Sequence, residues 1–540
     1  MRSEAILIAA TGLVGSAVAG KPDPETLPLP PMGFNNWARF MTSINESIFV
    51  DAAAAMTANG LLSAGYNRIN LDDAWSTTKR NSTGSMVWDS TKFPRGLTWL
   101  TEHLASAGFI PGIYSDAGTL SCAASYPGTL NHESQDLHDF YAWGFRYLKL
   151  DGCYVGDFPS VYGLWLGLMA AFNKDKAQNE RIVFSNSAPA YYANPQDLRG
   201  WYAIMMQAAA GGQLARHSYD VATYSSNPAW NSVMSNYGFQ VRATRFQQPG
   251  FFNDPDFLIA DHPGLTLDEK KSHFALWSSF SAPLIISADI PRLTSDELGF
   301  LTNKDLIAVN QDRLVQQASL ASRDANWDVL TKSLSNGDRL VTVLNKGSAA
   351  ADLAVSWARI GVRPDSAATL SVRDLWTGQT SAVRASSGGV AARGVPKHGT
   401  AVFRISGDAL NTVPTGIIFN TWSLHCLTDS ASGAATWSAC NASDSQSWTV
   451  DQSGRVSSLL NRNSCLVSNH SIRDGGAVST SEDGCESNAW NFPVSGNIVH
   501  KTSGKCVNEN EDASTSAVDC GQVENRQVFG VPVGVEIDYS

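Results

Sequence analysis

The chain has no basic cluster, and its 39 lysines and arginines are outnumbered by 50 aspartates and glutamates, for a formal net charge of −11 and a pI near 5.4. Such a surface has no electrostatic footprint for nucleic acid or for an anionic membrane, so a neutral ligand is the expectation. Beyond the N-terminal segment no run of about 18 uninterrupted apolar residues exists, the length a bilayer-spanning helix needs. The cysteines form no C-x-x-C cluster of the metal-binding kind. No Gly-rich phosphate fingerprint follows the first candidate strand, which argues against a doubly wound nucleotide fold.

What is present points to an exported, multidomain chain. With 540 residues, 43% of them apolar, and 16 Trp and 22 Phe, the chain can fill more than one core, so two or three domains are expected. Arg2, the apolar stretch Ala5 to Val18 and the small residues Ala17-Val18-Ala19 before Gly20 read as a signal peptide over residues 1–19. Glu4 dilutes the positive n-region, and a short N-terminal anchor is the alternative. The mature protein is expected to be secreted, extracellular and free of membrane. The eight cysteines fall in order into Cys122 with Cys153, Cys426 with Cys440, Cys465 with Cys485, and Cys506 with Cys520. Connectivity does not follow from sequence, but an even count in an oxidising compartment favours disulfides over zinc. Sequons at Asn45, Asn81, Asn441 and Asn469 mark glycosylation sites that a eukaryotic secretory route would use.

From Pro28 to about Asp312, short apolar strands alternate with amphipathic helical stretches. Candidate strands with their ends cover Gly33 to Trp37, Asn67 to Trp75, Ile110 to Asp116, Tyr147 to Asp151, Ile182 to Ser187, Arg216 to Asp220, Phe251 to Asp256 and Pro283 to Asp289. Most run from apolar into polar or acidic residues, as expected of an α/β (β/α)8 TIM barrel, which gathers its chemistry at the C-terminal ends of its strands. This barrel is expected over 20–313. Alternating segments such as Arg339 to Leu344 and Thr400 to Ile405, parted by the turn Asn336-Gly337-Asp338, predict an antiparallel β-sandwich over 314–408. Asp408 to Pro414 reads as a linker. After it, Cys426, Cys465 and Cys506 open units 39 and 41 residues apart, which end at Gln446-Ser447-Trp448, Asn488-Ala489-Trp490 and Gln527-Val528-Phe529. Three such aromatic-capped units predict a pseudo-threefold fold over 409–540 that resembles the ricin-type β-trefoil.

Lys149 and Asp151 share one side of their strand by period-two alternation. A carboxylate kept ionised by a nearby ammonium suits covalent glycosyl transfer, and a structural ion pair is the plainer reading. Acidic ends at Asp72, Asp73, Asp116, Asp220, Asp254 and Asp256, with Arg216 and Lys149 to compensate and Trp37, Trp75 and Tyr114 to line the mouth, suit a many-hydroxyl ligand. Coordination of Mg²⁺ or Ca²⁺ by the same acids is the competing reading.

Six ordered stretches, Pro31 to Trp37, Leu71-Asp72-Asp73, Phe93 to Gly96, Gly112 to Asp116, Lys149 to Cys153 and Asn253 to Asp256, resemble glycoside hydrolase family 27, and the resemblance runs from about residue 28 to 406. It implies retaining hydrolysis of terminal α-galactosides in an oligosaccharide or glycan, with no metal and no organic cofactor. Asp151 would be the nucleophile and Asp220 the acid/base. Arg216 and Asp256 would bind hydroxyls near the acid/base, Asp72 and Asp73 the far hydroxyls, and Trp37 the apolar face of the ring. Tyr114 and Lys149 would complete the floor, with Ser187, Ala190 and Tyr191 beside the sugar. The resemblance also places a disulfide, Cys122 to Cys153, beside the nucleophile. Strict α-galactosidases of the family tend to carry Glu and Leu where Ser187 and Ala190 stand, and small residues leave room for a 2-acetamido group. A dedicated α-N-acetylgalactosaminidase, a β-L-arabinopyranosidase and an inactive carbohydrate-binding protein are the alternatives. In the trefoil, Thr428, Val467 and Asn508 stand where sugar-binding units carry aspartate. Asp429 and Asn508 are the nearest substitutes, so at most weak carbohydrate contact is expected there.

Overall fold

The computed structural model describes residues 22–225, 228–408, 410–430, 432–468, 476–521 and 523–539. The signal-peptide segment and the Asn469 sequon lie outside the described residues. Eight strands, β1 (Met32–Asn35), β2 (Arg68–Leu71), β3 (Ile110–Asp116), β4 (Tyr147–Asp151), β5 (Val183–Asn186), β6 (Leu214–Arg216), β7 (Phe252–Asp254) and β8 (Leu284–Ile286), pair in parallel in the order β7-β6-β5-β4-β3-β2-β1-β8. Leu258 closes the ring against β8: its N–H donates to Ile285 O at 2.8 Å and its carbonyl accepts from Ser287 N at 2.9 Å. The result is a TIM barrel, with a helix following each strand. Gly33 is dictated by packing, since a Cβ there would lie 2.3 Å from Arg68 O on β2.

All eight expected strands form, but several stop short of their acidic ends. β2 ends at Leu71, and the chain turns away through Ala74 at φ 69°. Strand β6 covers Leu214–Arg216 rather than running from Arg216 to Asp220, so Asp220 stands four residues beyond Arg216 on a loop. That loop leaves the sheet at His217, whose carbonyl accepts from Trp201 Nε1 at 2.7 Å. Likewise Trp37 begins a short helix, Trp37–Phe40, instead of ending β1.

The second domain contains β9 (Ser319–Arg323), β10 (Trp327–Ser333), β11 (Arg339–Asn345), β12 (Ala351–Ser356), β13 (Thr369–Asp374), β14 (Thr380–Arg384), β15 (Gly389–Val395) and β16 (Thr400–Ser406). Six form one antiparallel sheet, β14-β13-β16-β11-β10-β9, and β12 pairs with β15 in a second. The core between them includes Val341, Val343, Trp357, Ile360 and Ile405. The barrel helix Leu267–Ser279, started by a Thr266–Glu269 capping box, packs on β10, β11 and β16.

The last segment is a β-trefoil whose repeats explain their own motif. Trp448 and Trp490 are buried, and their indole N–H groups donate to Leu427 O at 2.8 Å and Leu466 O at 3.1 Å. Gln446 and Gln527 accept from the backbone of Asn441 and Gly521, both at 2.8 Å, and Asn488 accepts from Ser468 N at 2.8 Å in the middle unit. Each unit thus spends its polar motif residue on its own backbone. Disulfides join Cys426–Cys440, Cys465–Cys485 and Cys506–Cys520. Within the stretch read as a linker, Val413 N donates to Gly361 O and Asn411 O accepts from Arg363 N, both at 2.8 Å, which binds these residues to the sandwich.

Candidate active site

The C-terminal mouth of the barrel gathers two charge clusters. On the β1/β2/β4 side, Asp72 is 1% exposed and accepts from Asn35 Nδ2 at 2.7 Å and Lys149 Nζ at 2.8 Å, while its N–H donates to Asn36 Oδ1 at 2.8 Å. Lys149 therefore pairs directly with Asp72, not with Asp151 as the K-x-D spacing suggested. Burial opposes its charge, but Asp72 and then Asp151 hold the ammonium on. Asp73 is pushed up by burial, against the N–H groups of Ala123 (2.9 Å) and Ala74 (2.6 Å). Asn35 and Asn36 escaped the sequence reading as site residues, although they stand at the end of β1 beside Trp37.

Asp151 ends β4. Its Oδ1 accepts from Tyr191 OH at 2.5 Å, and the same hydroxyl accepts from Gly152 N at 3.1 Å. Burial raises the Asp151 carboxyl above its ordinary range, with Lys149 and Tyr191 pulling the other way. The Cys122–Cys153 disulfide lies against Tyr191, with its sulfurs 3.5 and 3.2 Å from the hydroxyl. Asp116 pins that disulfide loop by accepting from Cys153 N at 2.8 Å and Gly118 N at 2.7 Å. Among the described residues, one group of ligand-type side chains lies within metal-binding reach, Asp116 with Cys122 and Cys153. Both of its sulfurs are spent in the disulfide.

On the other side, buried Arg216 bridges Asp220 (2.9 Å) and Asp256 (3.1 Å). Burial disfavours the guanidinium, yet Asp256 and Asp220 keep it charged. The walls of the mouth strip some solvent from Asp220 and work against its charge, but Arg216 and Lys149 outweigh that and hold the carboxyl below its ordinary range. Its side chain is 65% exposed, so solvent screens that effect. Asp256, set at φ 80°, accepts from Val221 N at 2.7 Å, and burial raises its carboxyl. Asp254 is buried behind it and accepts from Asp256 N at 2.9 Å.

Trp37 stays half-buried beside Asp220 and is within hydrogen-bonding reach of it. Trp75 does not line the mouth: it is 3% exposed, packs on Phe140 and Trp143, and donates to Tyr114 O at 2.9 Å. Its apolar ring is worth more in the core than at a wet rim. Tyr114 is nearly covered as well and accepts from Cys122 N at 3.3 Å. Ser187 follows β5 and is 1% exposed, and its Oγ has no hydrogen-bond partner. Ala190 and Tyr191 follow on the 3-10 turn Ala188–Tyr192.

Known proteins resemble this chain in all three of its parts. Residues 29–312 match the family model described as α-galactosidase A, 324–405 the α-galactosidase C-terminal β-sandwich domain and 414–529 the ricin-type β-trefoil lectin domain. α-Galactosidase A of Aspergillus niger is 46% identical over 529 residues, 95% of this chain and 93% of that protein. The crystal structure of α-galactosidase I from Mortierella vinacea superposes with a TM-score of 0.62 at 26% identity, over 71% of this chain and 98% of the other. That of the Saccharomyces cerevisiae α-galactosidase gives 0.60 at 25%, over 72% and 100%. Catalytic barrel, sandwich and trefoil thus each find their counterpart, and the chain belongs to the α-galactosidase A family, glycoside hydrolase family 27.

Proposed function

We propose that this protein is a retaining α-galactosidase that removes terminal non-reducing α-galactose from oligosaccharides or glycans. The observation that carries the reading is the pair of carboxylates across one barrel mouth. Asp151 is half-buried and oriented by Tyr191, and Asp220 is exposed and paired with Arg216. In this mechanism an Asp151 oxygen attacks the anomeric carbon as the bond to the leaving oxygen breaks. Asp220 delivers its proton to that oxygen. Water then attacks the glycosyl ester, losing its proton to Asp220 and freeing Asp151.

The electrostatics fit a cycle of this kind. In the free protein Arg216 favours ionised Asp220. Sugar hydroxyls arriving at Arg216 and Asp256 compete for the guanidinium, and an aglycone covering Asp220 adds desolvation, so both raise its proton affinity. Once Asp151 is esterified its negative charge is gone, and Asp220 becomes easier to ionise, as the deacylating base must be. Asp72 and Asp73 are proposed to hold the far hydroxyls, with Lys149, Tyr114 and Trp37 around the ring.

Ser187 and Ala190 support a pocket that also admits, or prefers, α-N-acetylgalactosamine. Small side chains leave room at the 2-position, and the unpartnered Ser187 Oγ offers a hydrogen bond to an acetamido group. The ratio of kcat/KM on aryl α-galactoside and aryl α-N-acetylgalactosaminide tests this, and inactivity on both would refute the function itself. We also propose secretion after cleavage of residues 1–19, domains over 20–313, 314–408 and 409–540, and glycosylation. Asn45, Asn81 and Asn441 are exposed, as an acceptor must be. No helix among the described residues is long and apolar enough to cross a membrane.

A further inference from the structure

The trefoil sits on the barrel through a built seam. The guanidinium of Arg245, 2% exposed, donates to three trefoil carbonyls, Phe529 O (3.0 Å), Pro493 O (2.8 Å) and Asn497 O (2.8 Å). Arg242 Nε donates to Thr421 O at 2.7 Å. Val523 and Val528 join one apolar core with Trp201, Tyr202, Phe239 and Phe246 of the barrel. Closer to the mouth, Trp422 Nε1 donates to Gln196 O at 2.9 Å, and Asn525 accepts from Leu198 N at 3.0 Å. These contacts fix the trefoil to the loop that follows β5, the same segment that supplies Ser187, Ala190 and Tyr191.

A cavity of about 400 Å³ opens at this seam, between Pro195 and Gln196 of the loop and Trp422, His425, Glu509 and Arg526 of the trefoil. The Arg526 guanidinium lies 5.6 Å from the Trp422 ring centre and pairs with Glu511 at 3.3 Å. Glu509 is buried and binds His425 Nδ1 and Ser423 Oγ, both at 2.7 Å, while the His425 ring stays 44% exposed. An aromatic face with paired charges around it suits a neutral, polyhydroxylated ligand better than an ion. This is not a repeat-encoded lectin site. Asp429 is buried, with its oxygens on Ser458 Oγ and Thr480 Oγ1, and Asn508 is spent on Asn510.

The cavity also borders the segment that follows β5 and carries Tyr191, and β5 pairs with β6. Asp220, proposed to protonate the leaving oxygen, stands on the loop that follows β6. Tyr191 and Tyr219, 40% and 48% exposed, stand on these two loops. Gln196 follows Tyr191 by five residues, so the two are separated by at most about 18 Å.

We propose that the seam cavity is a distal subsite of the catalytic cleft that holds a sugar unit of the leaving group. The preferred substrate class is then α-galactosyl units carried on a longer neutral glycan. This inference rests on the hydrolase reading above. It is tested with full-length protein and the variants Arg526→Ala and Trp422→Leu, on aryl α-galactoside, stachyose and galactosyl-branched β-mannan. The ratio of kcat/KM on the glycans to that on the aryl galactoside should fall about fivefold or more for loss of one stacked contact. A ratio unchanged on both glycans, because activities are unaffected or fall together, overturns the subsite. Saturation-transfer NMR of unbranched mannohexaose with the Asp151→Asn protein gives a second reading. Transfer that Arg526→Ala removes supports the site, and no transfer to the parent overturns it. Wild-type inactivity on aryl galactoside would instead remove the hydrolase reading, and this inference with it.

Discussion

The hydroxyl of Tyr191 gives a quantitative handle on the proposed nucleophile. Replacing it with Phe keeps the ring and deletes the 2.5 Å bond to Asp151 Oδ1, along with the acceptor for Gly152 N. A hydrogen bond to an ionised group contributes about 1.5–3 kcal/mol, and 1.4 kcal/mol is a factor of ten. Burial already pushes the Asp151 carboxyl up, and Lys149, Tyr191 and Arg216 pull it down. Without Tyr191 the neutral acid gains, so the acid limb of kcat/KM on an aryl α-galactoside should move toward neutral pH. On that limb the loss should reach about tenfold to a hundredfold, with a smaller loss on the plateau. A profile of unchanged shape, reduced equally at every pH, would refute the role of this bond in keeping Asp151 ionised.

Three other perturbations follow from the same contacts. Ser187→Glu with Ala190→Leu should fill the space beside the 2-position and selectively lower kcat/KM on the N-acetylated sugar, by steric clash and by a desolvated carboxylate; an unchanged ratio of the two activities would move those residues off the 2-position. Arg245→Ala takes a donor from three trefoil carbonyls, of which Pro493 O keeps the Gly496 N–H, and should cost about 2 kcal/mol or more, seen as a lower Tm and faster proteolytic release of the trefoil; no change in either would deny the seam its stabilising role. Asp116 is lifted to about 7, by burial first and Asp151 next. The folded protein therefore binds this proton more tightly than the unfolded chain, a contribution that is complete below the ordinary carboxylate range and lost as pH rises through about 7. Asp116→Asn should flatten the pH dependence of stability in that window, and denaturant melts of equal slope against pH in both proteins would contradict it.

The barrel was legible because each strand is an apolar run that breaks into polar residues where it meets the mouth. That pattern located β3 and β4 to the residue. It overran at β2 and β6, where Asp72, Asp73 and Asp220 belong to loops held by side chains such as Asn36 and Trp201. Alternation correctly put Lys149 on the face of the mouth, but its partner is 77 residues away at Asp72, a distance no local spacing encodes. Trp75 misled because an aromatic beside two aspartates looks like a sugar platform, while packing on Phe140 and Trp143 claims it for the core. The repeat signature gave the trefoil, since its cysteines and aromatic caps build its core. Its seat on the barrel was hidden, because Arg242 and Arg245 bond to backbone carbonyls, which carry no side-chain signal.

The chemistry proposed is double displacement by Asp151 and Asp220. Its most direct measurement is ¹H NMR of the first sugar released from an aryl α-galactoside, recorded before mutarotation. With double displacement the product appears as the α-anomer and relaxes toward β. Initial release of the β-anomer would mean single displacement by water, and would contradict the covalent role assigned to Asp151.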